Sequence, residues 1–133
     1  MESSVETGFD EKISELFDLF SQPARIQILL IIQNQPACVC HLVAALGLRQ
    51  ASISQHLMIL RNAGWVTTRR DSRNIYYSLA DQRLINLIEK AAELVGISPE
   101  EIHHISRRPL ENCPCPQCHP DLPPKYSCKS MPK

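Results

Sequence analysis

At 133 residues, the chain is long enough for one domain with a real core and short for two. Its 14 basic and 14 acidic residues balance to a formal net charge of zero, so bulk composition singles out no partner. No segment approaches the roughly 20 apolar residues that a membrane span needs, and the acidic N-terminus is the opposite of a secretory signal.

The chain is therefore expected in the cytoplasm, without a membrane partner. In that reducing compartment its six cysteines are more often ligands, redox switches or buried filler than a disulfide framework. Charge is unevenly distributed. Residues 2–18 hold six acids against Lys12, whereas residues 49–73 hold five arginines (Arg49, Arg61, Arg69, Arg70 and Arg73) against Asp71. A locally basic stretch suits a phosphate-binding face or a solvated surface, and charge alone does not separate the two.

In chain order, Ile13, Leu16, Phe17, Leu19 and Phe20 fall at mostly helical spacing and predict an amphipathic helix over 10–20. Pro23 opens a second helix over about 23–34. Its apolar run from Ile26 to Ile32 is expected of a helix buried on most faces. Asn34-Gln35-Pro36 breaks the chain. A third helix, 39–46, ends at Gly47, which suits a left-handed C′ position. A fourth, 50–63, carries Ile53, Leu57, Ile59 and Leu60 and stops at Gly64. Two short helices joined by a tight Gly-bearing turn mark a helix-turn-helix.

Past Gly64 the period changes. Residues 65–70 and 75–79 are rich in β-branched and aromatic residues, with Asp71-Ser72-Arg73-Asn74 between them, and predict a hairpin wing. Residues 82–95 return to helix, with an apolar face wider than a small domain needs. We assign the surplus to a dimer surface shared with the first helix. Ser98-Pro99-Glu100-Glu101 is a capping box with Pro at the first helical position, so a short helix is expected over 99–107.

Seven of the ten prolines and four of the six cysteines lie in 109–133, a tail without apolar periodicity. The expected architecture is mainly α with a β-hairpin wing: a dimeric winged helix-turn-helix. Residues 1–108 form the DNA-binding and dimerisation domain, and 109–133 a Pro/Cys-rich C-terminal tail.

In a helix-turn-helix the N-terminal residues of the second helix reach base edges in the major groove. Gln50, Ser52, Ser54, Gln55 and His56 stand there, all able to hydrogen-bond to double-stranded DNA. Arg61, Arg69, Arg70 and Arg73 fall where phosphates or the minor groove pass the wing. A solvated polar helix face is the plainer reading. The coincidence of helix-turn-helix, wing and basic stretch favours DNA.

The run Ser21-x-Pro23-x-Arg25, Cys38-Val39-Cys40-x-Leu42, Ser52-x-Ser54-x-His56-Leu57 and Leu60-x-x-Ala63-Gly64 resembles the ArsR/SmtB metalloregulators. Arg69-Arg70-Asp71-x-Arg73 and Tyr77-x-Leu79 continue the match over about residues 15–80. The resemblance implies a homodimeric repressor that leaves its operator when metal binds. Arg49 departs from the pattern, because relatives often place a Ser there to cap the recognition helix. Its charge suggests a phosphate contact instead.

Cys38 and Cys40 fall at the N-cap and N2 positions of the third helix. Cysteine is a poor cap, costing on the order of 1 kcal/mol locally, while a helix N-terminus favours the metal-binding thiolate. Within a helix, residues i and i+2 diverge by about 200°, but at a first turn they can converge. The tail adds Cys113, Cys115 and Cys118, followed by His119, with prolines that limit the entropy of ordering a loop. Thiol clusters without carboxylates point to a soft ion. A structural zinc site is the alternative, although only Cys115-x-x-Cys118 has the usual spacing. A thiol redox or persulfide switch is another. A thiol oxidoreductase is disfavoured, because no βαβ pattern accompanies the Cys-x-x-Cys and no nucleophile, base and oxyanion set is evident. Cys128 stands apart as a bystander.

The resemblance implies more. In relatives, a Cys-Val-Cys at this helix start binds As(III), Sb(III), Cd(II) or Pb(II), so the expected metal ligands are Cys38 and Cys40 with Cys113, Cys115 or Cys118. As(III) or Sb(III) is the favoured effector, and Cd(II) or Pb(II) the alternative. Relatives that sense zinc or nickel use His and Asp on the helix at 82–95, where this chain has Asp81 and Glu89 but no His. His103 and His104 are expected to be surface residues.

Overall fold

The computed structural model describes residues 8–106. Its helices are α1 (Phe9–Phe20), α2 (Pro23–Ile32), α3 (Val39–Leu46), α4 (Gln50–Asn62), α5 (Arg83–Leu94) and α6 (Pro99–His103), the last running into a 3₁₀ turn at His104–Ser106. Three strands, β1 (Ala37–Cys38), β2 (Val66–Asp71) and β3 (Asn74–Leu79), form one antiparallel sheet in the order β1-β3-β2. The domain boundary expected at 108 and the tail lie outside the described residues.

Helix α2 is the centre of the core. Pro23 occupies its first turn, where the missing N–H costs nothing. Its uninterrupted run from Ile28 to Ile32 is buried throughout, because α2 meets all five other helices, the 3₁₀ turn and β3. An all-round apolar helix is stable only in such a setting. Ile53, Leu57 and Leu60 of α4, Leu42 of α3 and Ile85 and Ile88 of α5 complete the same core.

Glycine ends α3 as expected. Gly47 has φ 68° and its N–H reaches the Val43 carbonyl at 2.8 Å, a conformation that costs an L-residue about 1–2 kcal/mol. After α4 the chain turns back through Trp65, whose N–H bonds the Leu60 carbonyl at 3.0 Å. The Trp65 ring packs on Phe20 at 4.8 Å between centroids, which ties the end of α1 to the base of the wing.

The hairpin is tighter than the sequence predicts. Asp71 pairs with Asn74, leaving only Ser72 and Arg73 as loop, and Ser72 takes a left-handed φ of 62°. Strand β1 was not foreseen. Ala37 and Cys38 pair with Tyr77 and Tyr76 of β3, so the segment between α2 and α3 is sewn to the wing. At the C-terminal end the capping box forms in full: Ser98 accepts from the Glu101 N–H while Glu101 accepts from the Ser98 N–H.

His103 is a correction to its expected surface role. It is half-buried, and Gln33 Nε2 donates to its Nδ1 at 2.8 Å. The same Gln33 amide nitrogen donates to the Leu30 carbonyl, so Nδ1 must be the acceptor and the ring proton sits on Nε2. That Nε2 lies 2.8 Å from Glu89 Oε2. His103 thus links α6 to both α2 and α5. His104 is exposed, as expected.

Candidate nucleic-acid interface and thiol pair

The α3–turn–α4 unit and the β2–β3 hairpin stand side by side on the α2 core. Along α4, Ile53, Leu57 and Leu60 face inward. Gln50, Ser54, Gln55 and Arg61 are exposed, and Ser52 and His56 lie half-buried between the two rows. This one-sided polarity is what a helix presented to a partner needs. Arg69, Arg70 and Arg73 are exposed along the hairpin and Arg49 at the turn. The expected cations Arg49, Arg69, Arg70 and Arg73 are thus all solvent-facing, as is Arg61 on α4 itself.

Arg49 is the N-cap of α4. Its backbone is extended (φ −66°, ψ 148°), and its side chain makes no capping hydrogen bond. The first turn of α4 therefore keeps uncapped N–H groups. His56 is engaged from the inside: Arg25 of α2 donates through Nε to His56 Nδ1 at 3.3 Å. Burial, and after it the Arg25 charge, push the His56 pKa below its ordinary 6.5. In the sequence, Arg25 stands out only as a motif position. Periodicity cannot reveal a contact between residues 31 apart.

The thiols sit at the other end of the reading head. Cys38 is the N-cap of α3 in extended backbone (φ −87°, ψ 169°), and Cys40 is the second residue of the helix. Both are thiols, Cys38 buried and Cys40 half-exposed. Cys38 stands in extended backbone just outside the helical spiral, so the roughly 200° separation of an interior i, i+2 pair is not imposed on it. Cys38 also belongs to β1, opposite Tyr76. It therefore touches the wing and the first reading-head helix at once. His41, the third residue of α3, is fully buried beside them. Among the described residues no three His, Cys, Asp or Glu side chains form a ligand cluster; Cys113, Cys115, Cys118 and Cys128 lie outside them. Also among the described residues, no helix is long and apolar enough to cross a membrane.

Two helices at a tight turn, the second polar on its outer face and flanked by a basic hairpin, define a winged helix-turn-helix. Residues 22–68 match the description "Bacterial regulatory protein, arsR family". A transcriptional repressor SmtB homolog of Synechocystis is 36% identical over 83 residues, covering 62% of this chain and 63% of that protein. The chain thus spans somewhat under two thirds of that relative's length. An HTH-type transcriptional regulator of Methanocaldococcus jannaschii is 38% identical over 85 residues, covering 63% of this chain and 96% of the relative. The crystal structure of NolR from Sinorhizobium fredii superposes with a TM-score of 0.62 at 30% identity, covering 70% of this chain and 94% of that one. The chain belongs to the arsR family of bacterial regulatory proteins.

Proposed function

We propose that the protein is a homodimeric repressor that binds operator DNA through α4 and the wing and is released by a thiophilic metal or metalloid. The observation that carries this reading is the position of Cys38, at once the cap of α3 and a member of the strand paired to the wing. Relatives agree in kind: an SmtB repressor of Mycobacterium tuberculosis is 40% identical over 82 residues, and a cadmium resistance regulatory protein CadC homolog of Staphylococcus aureus 30% over 80.

On the DNA side, Gln50, Ser52, Ser54, Gln55 and His56 supply donors and acceptors to base edges or backbone. Arg49, Arg61, Arg69, Arg70 and Arg73 supply charge to phosphates. Dimerisation would cover the apolar side chains left open on α1 and at the end of α5. Phe9, Ile13 and Phe17 follow one another at i, i+4 and i+8 on α1, and Leu94, Val95 and Ile97 follow on α5 and just beyond it; all six are exposed. A solvent-exposed apolar stripe of this kind marks an association surface.

On the effector side, Cys38 and Cys40 would hold a soft ion, completed by Cys113, Cys115 or Cys118. The donor set fits in type, two thiols with no carboxylate among them, and reaches three only with a tail thiol. As(III) and Sb(III), which take three thiolates, are favoured over Cd(II) and Pb(II). A ligand bond at Cys38 Sγ would load the α3 cap and the β1–β3 pairing together, and so shift the recognition helix against the wing. Coupling of about 1–3 kcal/mol per site is typical of such linkage.

The test is thiol counting. The reduced chain is titrated with As(III), and the cysteines still reactive toward a thiol reagent are measured. Three thiols protected per ion, falling on Cys38→Ser, Cys40→Ser and one tail substitution, is the expected result. Protection unchanged in the Cys38→Ser, Cys40→Ser double variant would refute the site. DNA release by peroxide without metal would favour a redox repressor of the same fold.

A further inference from the structure

Arg25 lies in the first turn of α2, its backbone N–H bonded to the Gln22 carbonyl at 3.0 Å. Its guanidinium crosses to α4, where Nε donates to His56 Nδ1 at 3.3 Å. Both side chains are half-buried. Among the described residues no carboxylate lies in ion-pair range of this guanidinium.

The chemistry of the pair is directional. A guanidinium has five N–H donors and no acceptor, so Nδ1 must be unprotonated to receive it. The proton of the neutral ring then sits on Nε2, and the imidazole offers its surroundings a donor there. Without Arg25 the ring would exchange between tautomers and present either a donor or an acceptor at Nε2. His56 stands one helical turn beyond Ser52, at the border between the buried row Ile53, Leu57 and Leu60 and the exposed face of α4. DNA backbones and purine edges in the major groove are rich in acceptors. An obligate donor at that border suits them, and an acceptor there would oppose them.

We propose that Arg25 is a positioning residue for DNA recognition: by donating to His56 Nδ1 it fixes the Nε2–H tautomer, and that N–H donates to an acceptor of the bound duplex, a phosphate oxygen or a purine N7. This rests on the operator-binding reading above. The lowered His56 pKa accords with it, since burial and the Arg25 charge both favour the neutral ring. A purely structural contact between α2 and α4 would also place Arg25 here. The test must therefore read the imidazole and the DNA together.

The full chain, reduced, is used with a duplex of about 30 base pairs, roughly three helical turns, selected from a random pool by the wild-type protein, and with a mixed-sequence duplex of equal length. Imidazole ¹⁵N shifts, thermal melting and duplex affinity are measured for Arg25→Met, Arg25→Lys, His56→Phe and the Arg25→Met, His56→Phe double variant. Arg25→Met, which has no donor, is expected to let the Nδ1–H tautomer appear, to raise the midpoint of the His56 titration, and to weaken binding about tenfold. Arg25→Lys keeps a cationic donor at Nδ1 and should restore the tautomer and most of the affinity. In the His56→Phe background, Arg25→Met should cost no more than about twofold further.

Equal losses on both duplexes assign the acceptor to a phosphate, and a loss confined to the selected duplex assigns it to a base; either supports the proposal. Additive losses in the double variant, or a tautomer that ignores Arg25→Met, overturn it while leaving operator binding intact. If the wild-type protein selects no duplex, the operator reading fails and takes the proposal with it. Should Arg25→Met not fold, Arg25→Lys and His56→Phe carry the comparison, and His56→Phe binding as tightly as wild type is the refuting result.

Discussion

Replacing Arg49 by serine should move stability and DNA affinity in opposite directions. Arg49 already has the extended backbone of an N-cap, and its carbonyl accepts the first helical bond from the Ile53 N–H at 3.1 Å. What it lacks is a side-chain acceptor for the N–H groups of Ala51 and Ser52. A serine hydroxyl would supply one without moving the backbone, a gain of about 1 kcal/mol. In a domain of this size that raises Tm by about 3–5 °C. The same change removes an exposed cation beside the polar face of α4. Each lost phosphate contact reduces the salt slope by about 0.9, so the ratio of wild-type to variant affinity should fall about 3.5-fold per subunit as salt rises fourfold from about 50 mM. For a dimer with two reading heads the factor is about 12. Thermal melting at fixed protein concentration, with anisotropy titrations at several salt concentrations, reads both effects. A variant that melts lower than wild type would refute the capping argument. An unchanged salt slope would refute the phosphate contact.

Three further outcomes are expected. His103→Ala removes the Gln33 and Glu89 hydrogen bonds, and because both ends are partly solvated the loss should be about 1–2 kcal/mol in urea unfolding, with hydrogen exchange rising first in α6; no change would show that α6 is held by apolar contacts alone. Phe17→Asp places a charge in the exposed stripe of α1 and should shift the protein to monomer in sedimentation velocity, with duplex affinity falling in parallel; a variant that stays dimeric moves the interface elsewhere. The Asp81 carboxyl is held down to about 2 by hydrogen bonds from the Arg83 side chain and backbone N–H. The folded value lies below the unfolded one, so the contribution is present above the ordinary carboxylate range and lost as pH falls through about 2. A carboxyl ¹³C titration should give that midpoint, and Arg83→Gln should raise it toward 3.8; a midpoint unmoved by the substitution would show that Arg83 is not the cause.

Much of this fold is legible in the sequence, for identifiable reasons. Pro23, Gly47, Gly64 and the Ser98–Glu101 box are local signals, and each stands where local chemistry puts it. The Ile26–Ile32 run forecasts a buried helix because nothing else could solvate it. The exposure of Arg49, Arg61, Arg69, Arg70 and Arg73 was legible because a charged side chain is rarely buried without a partner. What escaped depends on distant partners. Strand β1 is two residues long, too short for any alternation to show, and exists only because β3 offers it an edge. His103 looks like a surface histidine on a short polar helix until Gln33, 70 residues away, and Glu89 are brought to it. Arg25 reaches His56 only through the packing of α2 on α4. In the thiol pair, the cap and N2 positions of Cys38 and Cys40 follow from the helix start, while the link from Cys38 to the wing requires β1.

The central claim is that Cys38 and Cys40 connect a thiophilic ion to the reading head. Its most direct test is fluorescence anisotropy of the reduced protein on its selected duplex, titrated in parallel with As(III), Sb(III), Cd(II) and Pb(II) at fixed salt, for wild type and for the Cys38→Ser, Cys40→Ser variant. Release of wild type by As(III) or Sb(III), with the variant binding DNA normally and staying bound throughout, is the predicted result. Release of the variant at the same ion concentrations, or a wild-type complex that none of the four ions dissociates, would contradict it.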